Sequence, residues 1–465
     1  MKFIKKNFLF LLLFGFFLLT YSILGVQKHN RFETGDDLTV LAQPIWHLSR
    51  FENPYSSILH NYIFNDHFEP ILIAFTPFYW IWSDARVLIL AQQTFVVLGV
   101  IPVYLYSLNL LKKRFIGLIF SFLYLYFIGI QSAISSDFHT ATISATFISF
   151  TIYFLEIKKW RFYWFFVFLS LICREDVPLY IFGLGIYLFI IKKEYKRGLL
   201  TAILSIIYFS LIDSVFLPIL NGYPLNFGSW TGGSAGVSYQ IKKLILTPLN
   251  FVKLFFFPII KLRNIILTSL SFGFLPFLSP LYWIVAPFTF LRHLLPDAIK
   301  YSLHFHYAAS LSPILAFSAI NSLKKFKNFY FIIGFLLLAL IGTFYVNKPE
   351  LDPGFPTPPI SFVFKRSFYI LPPRNDDYNK IMSLIPQDSS VSAQTCLLPH
   401  LGNREKIYRF PDQYQESDYI ALTFTEGPYP LDFNQMNKLR DQLLADPNYE
   451  KLYLSYAGVL LKRKK

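Results

Sequence analysis

The feature that most constrains this chain is a succession of apolar runs, about 17–25 residues long, divided by short basic clusters. Runs of this length and composition predict helices that cross a bilayer, because only a helix satisfies its own backbone polar groups in lipid. The clusters fall at Lys2–Lys6, Lys112–Arg114, Lys158–Arg161, Lys192–Arg197, Lys261–Arg263 and Lys324–Lys327. Cytoplasmic loops carry the excess of Lys and Arg, so all six are placed on that side. The spans between them are then 7–25, 86–111, 115–133, 139–156, 161–174, 177–191, 198–220, 243–260, 264–284, 305–323 and 328–346, about 11 in all. Each adjacent pair of clusters encloses an even number of spans, as a one-sided assignment requires. The run at 69–82 is short for a span and is read as an interfacial helix within an outer loop, 26–85.

Composition decides between partners. The net charge of +15 would suggest nucleic acid in a soluble protein. Here only 15% of residues are charged, against roughly 25% in soluble domains, and 54% are hydrophobic. The cations sit between apolar runs, so they are topology signals, the expected partner is membrane lipid, and no nucleic acid is expected. Cys173 and Cys396 lie in different regions and imply neither a disulfide framework nor a zinc site. The basic head and apolar run at the start exceed a signal h-region and lack an A-x-A-like cleavage site, which predicts an uncleaved first span. The expected location is the cell membrane, multi-pass, with a cytoplasmic N-terminus and an extracytoplasmic C-terminal domain.

Three segments follow: a transmembrane domain at 1–346, a Pro-rich linker at 347–362 where helix cannot continue, and a soluble-like region at 363–465. In the last, PRNDDYNKIMSLIP and LDFNQMNKLRDQLLAD read as helices. SSVSAQT, KIYRF, SDYIALTF, YEKLYLSY and GVLLKRK read as strands, which predicts a small extracytoplasmic α/β domain. GSWTGGSAG (228–236) matches no phosphate-loop spacing and is read as an outer loop.

The ionisable residues near the span ends map to one side. The first outer loop holds Glu33, Asp36, Asp37, His47, Asp66, His67 and Glu69. Later outer turns hold Asp137 and His139, then Arg174, Glu175 and Asp176, then His304 and His306. Ionisable groups at the hydrocarbon boundary are expensive and usually functional. A set of carboxylates and histidines can bind a divalent cation or supply a general base. Structural roles stand beside these. Asp137 can cap a helix, His47 can be an interfacial partner, and Glu69-Pro70 can open a helix. Arg174 can pair with Glu175 or Asp176 to close a hairpin, and the histidines near Tyr301 and Tyr307 can form an aromatic belt.

The motifs occur in a recognisable order: D-L-x-x-x-x-Q-x-x-W (Asp37, Leu38, Gln43, Trp46), D-H-F-x-P (Asp66–Pro70), D-F-H (Asp137–His139), R-E-D-V (Arg174–Val177) and H-Y (His306–Tyr307), then SVSAQTCLLPHLGNREKIYRFP at 390–411. This order resembles a family of uncharacterised polytopic membrane proteins of bacteria and archaea, itself similar to the GT-C superfamily of lipid-dependent glycosyltransferases. The resemblance implies a GT-C-like fold and transfer of a sugar from a polyprenyl-phosphate-linked donor to an extracytoplasmic acceptor. It implies that Asp37, with Asp36 as neighbour, is catalytic. Asp66, His67, Arg174, Glu175, His306 and Tyr307 would bind substrate, and Asp137 and His139 a divalent cation, Mg or Mn. The chain departs from the family pattern at Thr140-Ala141, where an acid often follows D-F-H, and at Arg174, where Lys often precedes E-D. The alternative is a transporter or flippase for a lipid-linked or anionic substrate. Such proteins bind near the midplane, often between repeated halves, and the sequence shows no internal repeat.

Overall fold

The computed structural model describes residues 5–221, 246–295, 297–348, 351 and 360–464. The Gly-rich stretch 228–236 and most of the Pro-rich segment lie outside the described residues. The chain divides into two compact units. One comprises 1–21, 67–71 and 92–361; the other comprises 22–66, 72–91 and 362–465.

The first unit is helical. Four helices in the described chain are long and apolar enough to cross a membrane: Phe8–Asn30, which runs on into the second unit, Arg86–Leu111, Tyr195–Leu220 and Phe329–Val346. The pair Arg114–Leu125 and Ile128–Ser135, bent by 45°, makes a fifth when counted as one broken span. Trp160–Leu171 and Val177–Ile190 are apolar but shorter. The count of about 11 full-length spans is therefore not reached by length. The expected spans are interrupted where the backbone turns. The run 264–284 is not one helix: it breaks after Ile260–Leu270, passes a 3-10 turn at Leu275–Leu278 and resumes at Pro280–Thr289. The break sits at Gly273 and Phe274, both left-handed at φ +63° and +58°, and a Cβ on Gly273 would lie 2.6 Å from the Phe335 carbonyl oxygen. Only glycine takes that conformation and that approach together without strain. The run 305–323 likewise becomes helical only at Leu311, after a 3-10 turn at His306–Ala308.

Polar side chains pin these helices to one another, as expected where lipid offers no competing partner. Gln92 and Gln93 are both fully buried, and their amides donate to the carbonyls of Ala133 and Ile134 at 3.4 and 3.0 Å. Gly129 lets the 128–135 helix lie against the backbone of Ala308, since a Cβ there would meet the Ala308 oxygen at 2.7 Å. That approach sets the His306–Ala308 turn beside the segment leading to His139. At the far end of the helix Thr140–Glu156, Glu156 accepts from Tyr106, Tyr187 and Lys192 at 3.0, 3.1 and 2.7 Å.

The second unit is built on a five-stranded mixed sheet, in the spatial order Ile407–Arg409, Val391–Ala393, Tyr419–Thr423, Gly458–Arg463, Tyr449–Leu454. The first three strands are parallel and the last two pairings antiparallel. Side chains alternate between the faces. Tyr419, Ala421 and Leu460 enter one core with Tyr378 and Ile381 of the helix Arg374–Ser383. Ile420, Leu422, Val459 and Leu461 enter another with Met436 and Leu443 of the helix Phe433–Ala445. The latter helix starts at a capping box between Asp432 and Gln435. The first core also takes in Phe32 and Ile58, from more than 300 residues earlier in the chain. The expected outer loop thus supplies part of this core, together with the helix Asp36–Ser49 and the hairpin Tyr55–Ser56/Asn61–Tyr62. The run at 69–82 forms a 3-10 turn, Pro70–Phe75, followed by the helix Thr76–Ile81.

Candidate functional site

In the helical unit, polar residues from five sequence positions converge. His67 Nδ1 donates to Glu175 Oε1 at 2.7 Å, and the Phe68 amide donates to the other oxygen at 3.2 Å. A buried carboxylate thereby ties the segment at 67–71 to the hairpin tip. At the same tip Arg174 grips Asp176 through two bonds of 2.7 Å, and Tyr180 Oη donates to Asp176 at 2.6 Å. Burial alone would push the Asp176 carboxyl up, but the Arg174 charge and the Tyr180 bond outweigh it and hold the carboxyl below its ordinary value. The hairpin-closing ion pair is therefore with Asp176, while Glu175 serves His67.

His139 holds the N-cap position of the helix Thr140–Glu156, and its own side chain makes no capping bond. The D-F-H turn is held by Gln92, which accepts from the His139 amide at 2.7 Å and donates to the Asp137 carbonyl at 3.3 Å. His139 Nδ1 donates to the Asp137 carbonyl at 2.8 Å, which orients the ring. The His139 ring stacks on His306 with centroids 3.6 Å apart, and His306 packs on Tyr307 at 4.0 Å. Lys300 Nζ donates to Tyr307 Oη at 2.6 Å.

Glu69 and Arg292, like Lys300 and Tyr180, were not singled out from the sequence as site residues. Glu69 is fully buried, and burial pushes its carboxyl up to about 7, with the His67 charge opposing and the Glu175 charge reinforcing the rise. Arg292 follows the helix Pro280–Thr289. Its Nε and Nη1 are buried, with no hydrogen-bond partner among the described residues. Burial pushes its guanidinium down to about 10, against the pull of Tyr180, Tyr307 and Asp176. Arg292 is a lone cation in an apolar tract, so no local pattern marks it. An unusually placed charge in such a tract was the one available signal.

The predicted residues Asp36, Asp37 and Asp66 lie in the second unit. Asp36 and Asp37 open the helix Asp36–Ser49, where the helix dipole favours negative charge. Asp36 is ion-paired with Arg409 Nη1, and the Arg409 guanidinium lies 5.3 Å from the centre of the Tyr429 ring. Asp37 and Asp66 are exposed. Among the described residues, the group of three whose candidate metal-ligand atoms lie within 4.8 Å of one another is His47, Glu52 and Glu405, and Asp137 and His139 belong to no such group.

The family described as "Predicted membrane protein (DUF2079)" matches residues 28–453. The chain belongs to the DUF2079 family. No curated protein matches this DUF2079 chain. Among solved structures it is similar to ArnT from Cupriavidus metallidurans bound to undecaprenyl phosphate, with a TM-score of 0.52 and 11% identity, covering 97% of each chain. At that identity the likeness shows the fold alone: this DUF2079 protein shares the fold of ArnT.

Proposed function

We propose that this DUF2079 protein is an integral membrane glycosyltransferase that moves a sugar from a polyprenyl-phosphate donor to an extracytoplasmic acceptor. The observation that carries the reading is Arg292: a buried guanidinium with two nitrogens lacking partners among the described residues, within electrostatic reach of Arg174, Asp176, Tyr180 and Tyr307. A buried unpaired cation is costly, and an anionic ligand removes the cost. Guanidinium also matches phosphate geometry. The fold likeness to a protein bound to undecaprenyl phosphate makes a polyprenyl phosphate the natural anion.

In such a transfer the acceptor oxygen forms a bond to the anomeric carbon as the bond from that carbon to the phosphate oxygen breaks. The acceptor proton goes to a carboxylate, and polyprenyl phosphate leaves as the anion. Asp37 keeps the base role that the motif order gives it, and a positioned base contributes typically 10²–10⁴-fold. Arg292, with Arg174 and Lys300 nearby, stabilises the charge that grows on the departing phosphate. The N-terminus is assigned to the cytoplasm and the sheet-bearing unit to the outer side, which puts acceptor chemistry outside the cell. The test is release of polyprenyl phosphate from a lipid-linked sugar by purified protein in lipid nanodiscs. Asp37→Asn is expected to slow transfer at least a hundredfold while donor binding persists; turnover at the wild-type rate would remove Asp37 from the mechanism.

A further inference from the structure

Apart from the cluster in the helical unit, the second unit gathers one imidazole and two carboxylates. His47 lies in the last turn of the helix Asp36–Ser49, Glu52 follows five residues later, and Glu405 precedes the strand Ile407–Arg409. His47 Nδ1 is 2.9 Å from Glu52 Oε2 and 4.0 Å from Glu405 Oε2.

The arrangement is fixed from behind. Gln43, fully buried one helical turn before His47, donates to the carbonyls of Arg404 and Glu405 at 2.9 and 3.3 Å. Its Oε1 accepts from the Ser57 amide at 2.9 Å. Ser57 Oγ in turn donates to the Ile407 carbonyl at 2.6 Å and accepts from its amide at 3.0 Å. Residues 350 or more positions apart are thus held in register beside His47. Arg50, 4.6 Å from the centre of the Trp46 ring, donates to Glu52 Oε1 at 2.9 Å and leaves Oε2 toward His47. Orienting a carboxylate through its second oxygen is how outer partners set a metal ligand.

A simple ion pair accounts for His47 and Glu52 but not for Glu405. Arg50 already offsets the Glu52 charge, and Glu405 adds a second carboxylate that repels the first at this distance. We propose that His47, Glu52 and Glu405 bind one divalent transition-metal ion, with water completing the shell. One nitrogen and two carboxylate oxygens suit zinc. Tetrahedral zinc sets its ligand atoms roughly 3.3 Å apart, given bonds of about 2.0–2.2 Å. His47 and Glu52 are already near that spacing. Glu405 is 61% exposed and can swing inward, while His47 is only 5% exposed and stays fixed. The ion would fasten the end of the Asp36–Ser49 helix to the sheet.

The test uses the full chain without an affinity tag, in nanodiscs, stripped with EDTA and titrated with zinc chloride by calorimetry. Cobalt absorption serves as a second readout. The expected result is one ion per chain, bound at least tenfold more weakly by Glu405→Gln and by Glu52→Gln, with a zinc-dependent rise in melting temperature only in the wild type. Absence of stoichiometric zinc in the wild type overturns the proposal. So does unchanged affinity in Glu405→Gln, which would mean that these residues form an ion pair only. Should Glu52→Gln fail to fold, the exposed Glu405 position decides alone.

Discussion

Replacing Arg292 by methionine separates stability from function. The side chain keeps similar length and loses its charge. Burial pushes the guanidinium to about 10 from an ordinary 12.5. With each tenfold change in proton affinity worth about 1.4 kcal/mol, holding the charged form there costs about 3 kcal/mol. Arg292→Met is therefore expected to raise unfolding stability by up to about 3 kcal/mol at neutral pH, less whatever packing the methionine fails to recover. Lipid phosphate binding should move the other way. A hydrogen bond to a charged group is worth roughly 1.5–3 kcal/mol, so losing it weakens binding by about 10–150-fold. The assay is thermal unfolding of detergent-solubilised protein with and without polyprenyl phosphate, alongside direct binding. Wild type should melt lower when free and be stabilised by the lipid. The variant should melt higher and respond little. A variant that is less stable, yet binds the lipid as wild type does, would refute the anion role of Arg292.

The Glu69 carboxyl should give the protein a pH-dependent stability. Its folded value, about 7, lies above its ordinary 4.5, so the protonated form stabilises the fold. That contribution is complete below pH 4.5 and is lost as pH rises to 7, about 3 kcal/mol in all; Glu69→Gln should flatten this part of the stability profile in chemical denaturation. Asp176→Asn leaves the buried Arg174 charge unpaired and should cost about 3–5 kcal/mol. The double variant Arg174→Met/Asp176→Leu should recover most of that in a thermal melt.

The family order of motifs and the strands of the small sheet were legible because each rests on local pattern: alternation, capping and short spacing. The hairpin tip was legible too, since Arg174 and Asp176 are two residues apart. The helix breaks were harder to see. A window over 264–284 is uncharged and mostly apolar, and that average hides Gly273, Pro276 and Pro280, where the helix breaks and restarts. The turn at Asp137 and His139 is held by Gln92, 45 residues before Asp137, which no local pattern reveals. Arg292 gains meaning from Tyr180 and Asp176, more than 100 residues before it, and Lys300 from Tyr307, seven residues on. His47 looked like an interfacial residue because Glu405, its distant neighbour, gives no local signal.

The presence of Phe32 and Ile58 in the core of the sheet has a consequence for biosynthesis. Two residues of that core leave the ribosome early, and the rest, from Tyr378 to Leu460, follow only after every intervening membrane segment has been made. Closure of the core must wait, because contacts of such long separation carry a large loop-closure entropy. Meanwhile the early segment presents unburied apolar side chains, which makes it a natural client for a holding chaperone. For the same reason, a fragment beginning at residue 363 would lack one wall of its interior. Supplying residues 22–66 on the same polypeptide through a flexible linker should do more for its solubility than trimming its ends.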